Sequence, residues 1–196
     1  MPESVTAAVT VEHDFAASPD AVWVALSDPV SARDALPCCD ALAPADGRTL
    51  PSGSLSRLLA SDEEARDARV VAEGEEYDAT LTASVRGVET TLAGTLTVTE
   101  HDYPRMALEG IVRGDAADAR MAAALTVEEA GTDERCHVTW TARADVEGAL
   151  ATYGRRPVES AAARSANAFF DALDAHLAAV AGPESERAVK DPDWRP

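Results

Sequence analysis

Five runs of alternating apolar and polar residues, parted only by short turn sequences, fill the middle of this chain and restrict it to folds built on an antiparallel meander. Tyr77, Ala79, Leu81, Ala83 and Val85 alternate with Asp78, Thr80, Thr82 and Ser84. After the Arg86-Gly87 turn come Val88, Thr90, Leu92, Gly94, Leu96 and Val98. Met106, Leu108, Gly110 and Val112 follow the turn at His101 to Pro104, and Met121, Ala123, Leu125 and Val127 follow Gly114-Asp115. Gly131 to Asp133 then leads into Cys136, Val138, Trp140, Ala142, Ala144 and Val146. A period of two puts each apolar set on one face of its strand, and connections this short join antiparallel neighbours. Val5, Ala7, Val9, Val11, His13 and Phe15 form an earlier run of the same kind.

Such a sheet buries one face and needs a partner for it. After Gly148 the period changes to three and four: Leu150, Tyr153, Pro157, Ala161, Ser165, Phe169, Leu173, His176 and Leu177 mark one long helix. Pro157 is expected to kink it or divide off its first turns, and Gly182-Pro183 to stop it. Two short helices precede the meander. Ser18-Pro19-Asp20 is a helix start, Val22, Trp23 and Leu26 give an apolar stripe, and Pro29 ends it before a second helix near Val30 to Leu36. Residues 43–68, with Pro44, Gly47, Pro51, Gly53 and the acidic Asp62, Glu63 and Glu64, read as an inserted exposed loop with one helical turn. The resulting expectation is an α+β, helix-grip fold over 1–182, a curved sheet around the last helix, followed by a polar disordered tail, 183–196. Small inward residues cannot fill the concave side, so an apolar cavity is expected there.

Charge narrows the partners. Against 35 acidic residues stand 17 basic ones, and the net charge of −18 repels phosphate backbones, which argues against nucleic acid. The excess acid sits in patterned segments, as in a salt-adapted cytoplasmic protein whose self-repulsion is screened. No stretch is apolar enough to span a membrane, leaving peripheral contact as the mode open to it. Cys38, Cys39 and Cys136 have no CxxC spacing and read as reduced thiols. His13, His101, His137 and His176 lack the spacing of a metal site. Asp34 and Asp40 near the cysteines read as exposed loop residues rather than acid–base groups, and Ser18 as a cap rather than a nucleophile.

The run Ala17-Ser18-Pro19-Asp20-Ala21-Val22-Trp23, then Leu26-Ser27-Asp28-Pro29 and Leu36-Pro37-Cys38-Cys39-Asp40, resembles the opening of the carbon monoxide dehydrogenase G-subunit (CoxG) family of the START-like (SRPBCC) superfamily. Glu76-Tyr77, Arg86-Gly87-Val88, Thr97-Val98-Thr99-Glu100, Gly131-Thr132, Gly148-Ala149-Leu150, Tyr153-Gly154-Arg155 and Phe169-Phe170 extend the resemblance along the chain. Cys38 stands where the family usually has glycine, the following loop is longer, and the tail ending Asp193-Trp194-Arg195-Pro196 is polar where some relatives carry an apolar extension.

The resemblance implies an accessory protein, not itself an enzyme, that serves a molybdenum hydroxylase and handles a lipophilic, menaquinone-like quinone. It implies no cofactor beyond such a bound lipid. The inward residues expected to hold the apolar small molecule are Tyr77, Leu81, Leu92, Leu96, Leu108, Met121, Leu125, Tyr153, Phe169 and Leu173. Trp23 and Trp140 read as core filler. Tyr77 and Tyr153 offer phenols to a quinone carbonyl or, equally, to the backbone. The alternatives are a START-like enzyme of the polyketide cyclase or dehydratase type, which needs polar groups to converge in the pocket, for example two or more of Tyr77, His13 and Arg113, and a partner-stabilising module with a large exposed apolar patch.

Overall fold

The computed structural model describes residues 3–131 and 133–181. The first strand, β1 (Ser4–Phe15), leads into α1 (Pro19–Ser27) and α2 (Pro29–Ala35). A short strand β2 (Cys39–Pro44) and two five-residue helices, α3 (Leu55–Leu59) and α4 (Glu63–Asp67), follow. The meander is β3 (Glu76–Val85), β4 (Val88–Asp102), β5 (Arg105–Arg113), β6 (Ala117–Glu129) and β7 (Cys136–Gly148). A 3-10 turn, Ala149–Tyr153, precedes the long helix α5 (Arg155–Val180). All seven strands make one antiparallel sheet in the order β1-β7-β6-β5-β4-β3-β2. This is the expected helix-grip arrangement. The expected tail lies outside the described residues.

Local chemistry sets the element ends. The Ser18 hydroxyl accepts from the Ala21 amide at 3.3 Å, and Pro19 occupies the first turn of α1, where no amide is needed. Asp28, fully buried, caps α2 by accepting from the Val30 and Ser31 amides. Its carboxylate also takes two hydrogen bonds from Arg69, at 2.8 and 2.6 Å. Arg69 in turn donates to the Gly53 carbonyl at 2.7 Å. A buried pair so fully hydrogen-bonded ties the helix junction to the chain on either side of α3 and α4.

That tie corrects one expectation. The segment 43–68 is not a simple exposed loop: Leu55 and Leu58 are buried in the main core. Their spacing of three gives α3 an apolar stripe, and Arg69 pins the segment down. The break at the start of the last helix also differs from expectation. It falls at Gly154, whose φ of 82° leaves the helical region, while Pro157 sits in the first turn of α5 without needing to kink it.

Two clusters form the core. The larger joins Val11, Phe15, Met106, Val127, Val138 and Cys136 of the sheet to α1–α3 and to Phe170, Leu173 and Leu177 of α5. The smaller gathers Val85, Leu92, Val112, Ala117, Ala119, Val146 and Leu150 at the opposite end of the strands. Between them the backbones of β4 and β5 approach closely. A Cβ on Gly94 would lie 1.9 Å from the Ile111 carbonyl oxygen, so only glycine permits that approach. At the β1 edge, Glu159 of α5 accepts from the Ala8 amide at 3.1 Å, so the helix blunts an otherwise open strand.

Candidate functional site

The inner face of every meander strand shows the same sequence of burial. On β6, Ala117 and Ala119 are buried, Met121, Ala123 and Leu125 only half-buried, and Val127 buried again. On β7, Cys136 and Val138 are buried, Trp140, Ala142 and Ala144 half-buried, and Val146 buried. Tyr77 and Ala79 give way to Leu81 and Ala83 on β3, Leu92 to Gly94 and Leu96 on β4, and Met106 to Leu108 on β5. An apolar band of half-buried residues therefore crosses the sheet between the two core clusters. The first half of α5 matches it, with half-buried Val158, Ala161, Ala162 and Ser165, while Phe170 and Leu173 further along are buried.

Of the ten residues expected to line a ligand, Leu81, Leu96, Leu108, Met121 and Leu125 lie in this band. Tyr153 and Phe169 are half-buried at its two ends, Tyr153 against the smaller cluster and Phe169 against the larger. Leu92 and Leu173 are instead core residues, at 6% and 0% exposure, consumed by packing against other side chains. Residues not anticipated as lining are Ala83, Gly94, Ala123, Trp140, Ala142 and Ala144. Their signal is the same alternation, but small size and a tryptophan's usual role in cores hide them.

Tyr77 has a different task from the one expected. Its hydroxyl donates to the Glu75 carboxylate at 2.7 Å and lies 3.4 Å from the Arg48 guanidinium, which ion-pairs with Glu75. Burial, reinforced by the Glu75 carboxylate, pushes its phenol well above the usual range. The partner is thus a side-chain pair, neither a backbone group nor a free space for a ligand.

The other polar candidates have settings of their own, and the buried Nε2 of His13 has no hydrogen-bond partner. Arg33 pairs with Asp34, and Asp40 accepts from Thr82 at 2.7 Å. His13 stacks on Phe170 and faces Asp171 and Asp174 of α5 at 3.9 and 3.8 Å. Arg113 is exposed on the opposite face of the sheet. Tyr77, His13 and Arg113 therefore have three separate settings and do not converge. Trp23 stacks on His101, whose ring nitrogen lies 2.9 Å from the buried Ser27 hydroxyl, and burial holds that histidine below its ordinary pKa. Burial also raises the Cys38 thiol, with the Ser165 hydroxyl of α5 partly offsetting it. That contact puts the Pro37-Cys38 corner against the first half of α5. Among the described residues no group of three or more His, Cys, Asp and Glu side chains is placed to hold a metal ion, and no helix is long and apolar enough to cross a membrane.

The sequence pattern of the carbon monoxide dehydrogenase G-subunit (CoxG) family matches residues 68–178, more than half of the chain. The chain belongs to this family. The match takes in the whole meander, and with it the entire half-buried band of the sheet, and nearly all of α5. It leaves out the Ser18 to Asp40 motif, so strands and helix carry CoxG membership without it. No curated protein sequence matches the chain. Among solved structures, a conserved protein from Geobacillus kaustophilus superposes with a TM-score of 0.66 at 18% identity, covering 89% of this chain and 96% of that one. The ZhuI aromatase/cyclase from Streptomyces sp. R1128 gives 0.55 at 16%, over 97% and 99%. A truncated norcoclaurine synthase from Thalictrum flavum gives 0.53 at 18%, over 88% and 93%. At these identities the likeness establishes the START-like fold of this CoxG family member and leaves chemistry to its own side chains.

Two hollows are present among the described residues. One, of about 470 Å³, is lined mainly by outward residues such as Ala8, Ala122, Ala124 and Thr141, together with Leu108, Ala123 and Ala142 of the band, and has no α5 residue in its lining. The other, of about 350 Å³, lies among α2, α3 and the last turn of α5, beside Leu55, Arg69 and His176. Neither involves the paired polar groups in a way that suggests catalysis. Tyr103 and Ile111, the large apolar side chains left exposed among the described residues, sit at a hairpin tip and on the outer face, and do not form one patch.

Proposed function

We propose that this CoxG family member binds an apolar small molecule between its sheet and α5, carrying the molecule without transforming it. The observation behind this is the half-buried band. Buried apolar side chains flank the band on the meander strands, yet those midway retain surface that a guest would cover. Burying such surface is worth about 25 cal/mol per Å², enough for useful affinity without a charged anchor. Tyr77, Asp34 and Asp40 are already paired within the chain, which favours a ligand that is mostly hydrocarbon. Family membership supports a menaquinone-like quinone as that ligand and a molybdenum hydroxylase as the partner served.

The test is direct. Native mass spectrometry of the purified protein should reveal a bound lipophile. Titration with a menaquinone should quench tryptophan emission through Trp140 in the band, and Trp140→Phe should remove most of that quenching. A protein that carries no lipid and shows no saturable quenching would overturn the proposal.

A further inference from the structure

The inward set of β1 runs Val5, Ala7, Val9, Val11, His13 and Phe15, so His13 puts an imidazole where the alternation calls for an apolar side chain. The ring packs between two aromatics, its centroid 4.5 Å from that of Phe15 and 5.7 Å from that of Phe170 on α5. Its side chain is 16% exposed, and the buried Nε2 has no hydrogen-bond partner, which costs stability. Two carboxylates of α5 stand just out of hydrogen-bond reach. Asp171 Oδ1 is 3.9 Å from Nδ1, and Asp174 Oδ2 is 3.8 Å from Nε2. Three positions apart on the helix, these two acids also repel each other. Among the described residues His13 is the only basic group paired with either. Cys136 of β7 adds no charge here, since burial, then Asp14 and Asp174, push its thiol up to about 11. Glu12 and Asp14 lie on the other face of β1 and engage His137. His176, the other histidine of α5, lines the hollow beside α2 and α3 instead.

We infer that His13 is a proton-operated latch between β1 and the second half of α5. An imidazole gains its proton in the range around neutrality. In the charged ring both nitrogens donate, so a small side-chain adjustment gives Nδ1 and Nε2 one carboxylate acceptor each. Two charge-assisted contacts then replace an orphaned nitrogen and a pair of like charges. Phe170, stacked on the ring at 25°, adds a cation–π attraction. Linkage sets the sign. The latched state holds the proton, so its extra stability is present at low pH and is lost as pH rises through the histidine's titration. The latch acts on one half of the helix. In the other half Glu159 accepts from the Ala8 amide at 3.1 Å, a bond that does not involve His13. Phe169, at one end of the half-buried band, lies against Phe170 with centroids 5.3 Å apart. Unlatching therefore loosens the band at its Phe169 end, and a guest leaves faster at higher pH. That consequence rests on the guest proposed above, whereas the latch itself does not.

Amide hydrogen exchange of the full chain, read as protection factors at about pH 6 and about pH 8.5, tests the latch without a guest. Phe170 to Leu177 should lose about tenfold or more of their protection at the higher pH, while Val158 to Ser165 keep theirs. H13Q should show equal protection at both. D171N/D174N should do the same, which separates the ion pairs from ring packing. Those two side chains are 75% and 36% exposed, so this variant keeps the core intact even where H13Q perturbs it. Protection that does not change with pH in the wild type overturns the proposal, and so does a pH dependence that survives in either variant. Release of menaquinone, followed by recovery of tryptophan emission, should be faster at the higher pH in the wild type and equal at both in D171N/D174N. Equal release rates in the wild type would overturn the control of the band. Absence of any quenching would undo the guest reading and leave the exchange result to decide the latch.

Discussion

The packed end of the molecule and the band at its middle are built from the same strands, with the same alternation, yet they end in opposite states. At the packed end, Phe15, Val138, Phe170 and Leu173 are at 0–1% exposure, sealed by α1, α2 and α3. Half a strand away, Leu108, Ala123 and Ala142 face the same helix and stay half-covered. The difference lies in what stands above the sheet. Over the packed end the helix offers Phe170, Leu173 and Leu177, and three short helices add further side chains. Over the band it offers the shorter Ala161, Ala162 and Ser165, of which Ala161 packs against the smaller cluster. Stability is thus concentrated at one end, and capacity for a guest at the middle.

The strongest way to break this comparison is truncation in each region. Phe170→Ala should cost about 3–5 kcal/mol, as for a fully enclosed aromatic. Leu108→Ala in the band should cost about 1 kcal/mol, since much of its surface is uncovered already. Urea unfolding measures both, and equal losses would mean the two regions are packed alike.

Filling the band sharpens the point. Ala123→Phe should leave the unfolding midpoint unchanged or slightly higher while abolishing quinone quenching. Were the space already filled, overpacking would instead cost about 1–3 kcal/mol. A destabilised variant that still binds would contradict the assignment of the band.

The smallest effect concerns two histidines. His137, opposite Asp14 on the exposed β1–β7 pair and 2.7 Å from it, is raised above its ordinary 6.5 by that hydrogen bond. Its contribution to stability is therefore full below 6.5 and is lost as pH rises through the raised value. His101, at the packed end beside Trp23, is lowered below 6.5 by burial, so its contribution is full above 6.5 and fades as pH falls. Proton NMR should find the two rings titrating on opposite sides of 6.5, with D14N returning His137 toward it. Titration at one common pH would show that burial does not separate these environments.

Much of the fold was legible because alternation and turn chemistry are local. Arg86-Gly87 turns where glycine and a residue at φ 52° allow it, and Ser18-Pro19 starts α1 through its own hydroxyl and ring. The role of 43–68 was not legible. Leu55 and Leu58 gain their meaning from α5, and Arg69 from Asp28, 41 positions earlier. The site was legible in part for the same reason. Periodicity marks Leu81, Leu96, Leu108, Met121 and Leu125 as inward, but it marks Leu92 and Leu173 equally, and those two are core. Tyr77 reads as a free phenol because its partners, Glu75 and Arg48, meet it only once β3 and the loop after β2 are in place.

By itself, then, the sequence determined the strands, the turns, the inward face and the helix that covers it, since each depends on neighbours a few residues apart. Tertiary structure alone decided which inward residues are sealed and which retain surface, and which carboxylates stand over His13. Both follow from strand register and from the gap between sheet and helix, quantities set by contacts between residues distant along the chain.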